Sequence, residues 1–90
     1  MNILEEAHQI VWGDREKVYD DPNANFRRIA GIWTQILGRP ITLQEVALCL
    51  IGLKLARLAH SPKHRDSVVD VAGYAACLER INAEEDPQPA

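Results

Sequence analysis

The chain has little cysteine, no long apolar run and no excess of basic charge, and each scarcity removes a class of protein. Two cysteines, Cys49 and Cys77, in 90 residues cannot build a disulfide framework, and they lack the close Cys/His spacing of a zinc site. Both lie in apolar helical patterns and read as small core residues of a reducing compartment. The longest apolar run, V-A-L-C-L-I-G-L before Lys54, is far shorter than the ~20 residues that span a bilayer. Met1 leads directly into a helical pattern carrying Glu5 and Glu6, which is not a signal peptide, so the expected location is the cytoplasm. A net charge of −3 argues against a duplex nucleic-acid binder, which would carry a basic excess. Local basic clusters can still hold small anions.

What is present is helical. Ninety residues make one domain with a modest core, and oligomerisation is the expected source of further burial. Ile3, Leu4, Ala7, Ile10 and Val11 share a helical face over residues 3 to 12, with Gly13 as a stop. The polar stretch up to Pro22 reads as a loop. A second helix runs from Asn23 or Asn25 to Leu37, with Phe26, Ile29, Ala30, Trp33, Ile36 and Leu37 as its apolar stripe and Gly38 as its end. Thr42 and Glu45 form a capping box at the start of a third helix that continues to about His60. That helix is apolar almost all round, so it is expected to be the central, most buried element. Ser61-Pro62 reads as the N-cap and first position of a fourth helix reaching about Asn82. The fold class is therefore all-α: four helices with a central antiparallel hairpin in one domain over residues 1–83. An acidic, proline-containing tail is expected to be disordered over 84–90.

An antiparallel hairpin turning at Ser61 and Pro62 puts Lys54 level with Asp70, Arg57 with Asp66, Gly52 with Gly73 and Cys49 with Cys77. Reciprocal pairing is the expected answer to charges on packed helices, so a charged seam that fixes register stands beside any functional reading. Glu45, Asp66 and Asp70 could supply oxygen ligands to Mg²⁺, but Lys54 and Arg57 compete for the same carboxylates and the cap already employs Glu45. His60 and His64 are four apart, but Pro62 interrupts the helix between them, so they are not expected to share a face as a zinc pair would. Lys63, His64 and Arg65 in the first turn of the fourth helix are the sharper feature. Backbone N–H groups and the helix dipole attract an anion there, and three cations without one are poorly placed. In the loop, Arg15 and Lys17 could reach a phosphate and Tyr19 could stack on a base. Trp12 is a further candidate base contact, although Trp12 and Trp33 also suit a core or subunit interface. No nucleophile with a base is evident; Ser67 in particular has none.

The segments G-D-R-E-K-V-Y, N-F-R-R-I-A-G-I-W, E-V-A-L, K-L-A-R-L and K-H-R-D-S-V-V-D-V-A-G-Y-A follow one another in order. In this the chain resembles small, mostly uncharacterised phage and prophage proteins. More distantly it is similar to the MazG-like all-α NTP pyrophosphohydrolases, which are oligomeric and hold Mg²⁺ and a nucleotide on carboxylates of two packed helices. The E-E-x-x-E and E-x-x-D clusters of those enzymes are reduced here to Glu45, Asp66 and Asp70. The resemblance implies a MazG-like bundle with a nucleotide-sized pocket between helices. The expected function is binding, without cleavage, of a nucleotide or nucleotide-derived defence signal in the host cytoplasm. Lys54, Arg57, Lys63, His64 and Arg65 are its phosphate contacts, and no cofactor is needed. The alternatives are a Mg²⁺-dependent pyrophosphohydrolase using Glu45, Asp66 and Asp70, and a structural or protein-binding module. The expected partners are that small molecule and further copies of the chain, with neither duplex nucleic acid nor membrane.

Overall fold

The computed structural model describes residues 2–12 and 22–85, with residues 10–12 and 22 described by their backbone alone. The described elements are α1 (Ile3–Trp12), α2 (Pro22–Leu37), α3 (Leu43–His60) and α4 (Arg65–Glu85), and no strand occurs among the described residues. Local chemistry sets most of these boundaries. The Asn2 side chain accepts the Glu5 N–H at 2.8 Å to start α1. Pro22 occupies the first position of α2, where its missing N–H costs nothing. Gly38 ends α2 at φ 73°, the left-handed conformation that glycine adopts freely, and its N–H bonds the Thr34 carbonyl at 2.9 Å. The capping box of α3 is complete: the Thr42 hydroxyl accepts the Glu45 N–H at 3.0 Å, and the Glu45 carboxylate accepts the Thr42 N–H at 2.9 Å.

The start of α4 corrects the sequence reading. Ser61 ends α3, donating its N–H to the Arg57 carbonyl at 2.9 Å. Ser61, Pro62 and Lys63 then form a turn closed by the His64 N–H on the Ser61 carbonyl at 3.0 Å. The helix begins at Arg65, three residues later than a Ser61-Pro62 start, and reaches Glu85.

The centre of the fold is α4, not α3. Helix α3 packs along one side of α4, α1 packs on another, and α2 crosses the pair where α3 begins and α4 ends. The core there comprises Phe26, Ala30, Val46, Ala47, Cys77 and Ile81, with the Phe26 and Tyr74 rings 6.4 Å apart and tilted by 44°. Burial pushes the Cys77 thiol up to about 11, as expected of a small apolar core residue. On α3, by contrast, only Val46 and Ala47 are buried. Leu48, Leu53 and Leu55 remain 57%, 66% and 53% exposed. The expectation that α3 is the most buried helix fails because its partners cover one side only.

Candidate functional site at the hairpin tip

From Lys54 to Arg65 the chain carries Lys54, Arg57, His60, Lys63, His64 and Arg65 and not one acidic residue, within a protein whose net charge is −3. The antiparallel packing of α3 on α4 gathers this stretch at one end of the hairpin. The structure then divides these groups among different partners.

Lys54 meets Asp70 at 3.0 Å, the pair that the hairpin register predicts. Tyr74 stands one turn beyond Asp70; burial raises its phenol, Lys54 opposes that rise and Asp70 adds to it. Arg65 is engaged by α1: its guanidinium lies 2.7 Å from the Glu6 carboxylate. The hydrogen bond from Arg65 holds Glu6 below the usual glutamate range, and Glu6 in turn raises Arg65. This bridge was not legible in the sequence, because nothing there shows that α1 docks beside the start of α4.

The expected Arg57–Asp66 pair is absent. Asp66 is exposed in the first turn of α4, where its charge suits the positive end of the helix. Arg57 Nη2 lies instead 3.2 Å from Nε2 of His64. The other ring nitrogen, Nδ1, lies 2.7 Å from the Ser67 hydroxyl and 3.2 Å from the Ser67 backbone N–H. His64 thus acts as the N-cap of α4, a role that its ring performs through an acceptor nitrogen. With the proton on Nε2, Nδ1 accepts the Ser67 N–H. With the proton on Nδ1, the ring donates to the hydroxyl and Nε2 accepts from Arg57. Ser67 therefore does have a histidine beside it, contrary to the sequence reading, but at 1% exposure its hydroxyl is closed to a substrate and serves the cap.

Among the described residues, Arg57 has no carboxylate within ion-pair distance, and its guanidinium is exposed with donors to spare. Lys63 is exposed on the turn that follows α3. The remaining sequence candidates fall away from this group or outside the description. Arg15, Lys17 and Tyr19 lie outside the described residues, as does the Trp12 side chain. Glu45 sits at the far end of α3. There it is held below the usual glutamate range by the Thr42 backbone N–H and by Arg39, whose guanidinium is 3.1 Å away. No three His, Cys, Asp or Glu side chains among the described residues come together to hold a metal ion, so Glu45, Asp66 and Asp70 do not form the Mg²⁺ cage of the enzyme alternative. Gly52 and Cys49 face outward while Gly73 and Cys77 are buried, so the expected small-residue contacts between α3 and α4 are also absent.

These features define a small all-α protein whose helical hairpin ends in a basic tip. The chain belongs to the family described as domain of unknown function DUF6378, whose model matches residues 2–82. It is 43% identical over 83 residues to the Gene 55 protein of Mycobacterium phage D29, a match covering 92% of this chain and 55% of that protein. It is 41% identical over 87 residues to the Gene 55 protein of Mycobacterium phage L5, covering 96% of this chain and 56% of the relative. The chain thus spans a little over half the length of these curated relatives. No solved structure matches it. No helix of the described residues is long and apolar enough to cross a membrane.

Proposed function

We propose that this protein binds a phosphate-bearing small molecule, a nucleotide or nucleotide-derived signal, at the hairpin tip and does not cleave it. The observation that carries this reading is Arg57. Its guanidinium is exposed, contacts the His64 ring rather than a carboxylate, and lies in a stretch with six basic side chains and no acid. An arginine with no carboxylate partner keeps its planar fork available for a phosphate. Lys63 adds a second cation, and the Ser67 contact with His64 holds the ring beside Arg57. Lys54 and Arg65 contribute positive field, although Asp70 and Glu6 already engage them.

Binding without turnover is favoured over pyrophosphate hydrolysis because Glu45, Asp66 and Asp70 do not converge and Ser67 is buried. The phage origin of the relatives suits a protein that sequesters a host nucleotide signal, a task that needs affinity and no chemistry. The distant MazG-like resemblance is consistent with helices that receive a nucleotide. A thermal-shift screen with nucleotides, cyclic oligonucleotides and ADP-ribose derivatives, each with and without Mg²⁺, tests the reading. A shift with the ligand recovered intact by chromatography is the expected result. Metal-dependent product would return the enzyme reading, and no shift with any ligand would leave a structural or protein-binding module.

A further inference from the structure

The outer side of α3 is an apolar surface that the described residues leave uncovered. From Val46 to Leu53 the helix carries no charge. Leu48, Gly52, Leu55 and Ala59 recur at helical spacing on the side turned away from α4, flanked by Cys49, Leu53 and Ala56, and all seven are exposed. Gly52 is informative. A side chain added there would meet nothing within 4 Å, so no contact among the described residues explains a poor helix former in mid-helix. Small residues between leucines are what closely approaching helices require.

We infer that this face is the contact between two copies of the chain, paired antiparallel through α3 about a two-fold axis at Gly52. The surface is complementary to itself in that register. Leu48 lies opposite Ala56 of the second copy, Leu55 opposite its Cys49, and the two glycines meet at the axis, so at these levels large side chains face small ones, while Leu53 meets Ile51 at the edge. The charges agree. Glu45 of the first turn, which Arg39 meets at 3.1 Å, comes level with the other copy's His60, while Arg57 stands about 140° round the helix from Gly52 and stays clear of the contact. A parallel pair would set Glu45 against Glu45, His60 against His60 and leucine against leucine. The register leaves the Lys54–Asp70 pair and the Val46–Ile81 core on the opposite side, undisturbed. It does not rest on the nucleotide reading. It does put the basic tips at opposite ends of the paired helices, so each copy would carry its own site.

Light scattering on the eluting protein, with site-specific cross-linking, decides the matter. The chain should elute at twice its 10.1 kDa mass at tens of micromolar. Leu55→Glu and Leu48→Glu, at positions already exposed in one chain, should give monomers with unchanged far-ultraviolet circular dichroism. Gly52→Cys should form a disulfide-linked dimer under mild oxidation. The native Cys49 should not, because antiparallel pairing about Gly52 sets the two copies of Cys49 about 9 Å apart along the helix axis. A monomeric wild-type chain, or a dimer that both glutamate variants leave intact, would overturn the inference and point to another segment or protein as the cover of this face.

Discussion

Replacing His64 with alanine tests whether an imidazole caps α4. The ring contacts the Ser67 N–H at 3.2 Å and the Ser67 hydroxyl at 2.7 Å, and Ser67 is 1% exposed. Loss of an N-cap costs about 1 kcal/mol. A buried hydroxyl left without a partner adds roughly 1–3 kcal/mol. The sum, roughly 2–4 kcal/mol, is a large part of the ~4–14 kcal/mol expected for a domain of this size. At about 4–8 °C per kcal/mol, Tm should fall by roughly 8–30 °C. Urea unfolding followed by circular dichroism measures the loss, and Ser67→Ala completes a cycle. Once the hydroxyl is gone, removing His64 no longer strands it, so the double variant should be more stable than the sum of the singles predicts by about 1 kcal/mol or more. If His64→Ala stays within about 0.5 kcal/mol of wild type, the ring is not the cap; if the two changes simply add, the ring does not hold the Ser67 hydroxyl.

Two further outcomes follow from the packing and the charges. Ile81 is 0% exposed within the Phe26–Val46–Cys77 cluster, so Ile81→Ala should cost about 2–5 kcal/mol by urea denaturation; a smaller loss would mean that the α2 crossing is not the core. Glu6 and Glu45 both titrate below the ordinary value of 4.5 when folded. Their contribution is therefore complete above that value and is lost as pH falls through the lower folded pKa. Glu6→Gln should lower Tm at neutral pH and narrow the gap between Tm at about pH 7 and about pH 3; an unchanged acid limb would remove the Glu6–Arg65 bridge from the account.

The parts of the fold that local chemistry determines were legible in the sequence. Thr42 with Glu45, Gly38 after Leu37, and the level of Lys54 with Asp70 each follow from a short-range rule, and each is present. What escaped depends on which surface a neighbour covers. A helix apolar all round gives no sign of which side faces inward, so α3 reads as buried until α4 is seen along one side of it and solvent along the other. Ser61-Pro62 carries the usual signature of a helix start. The turn it forms instead allows His64 to cap from three residues further on, and that shift takes Asp66 away from Arg57. Glu6 could not be assigned to Arg65 because no local pattern spans the distance between α1 and α4. The free guanidinium of Arg57 emerges only once those pairings are known, which is why the basic stretch alone left the site undivided.

The central claim is that Arg57 at the hairpin tip holds phosphate, and calorimetric titration of ATP and inorganic triphosphate into wild-type and Arg57→Ala protein tests it most directly. A charged hydrogen-bonding contact of about 1.5–3 kcal/mol corresponds to a loss of roughly 10–150-fold in affinity on removal. Binding by the wild type, weakened by that factor in Arg57→Ala with circular dichroism and urea midpoint unchanged, is the predicted result. Equal affinity in the two proteins, or no heat from either ligand with the wild type, would contradict it.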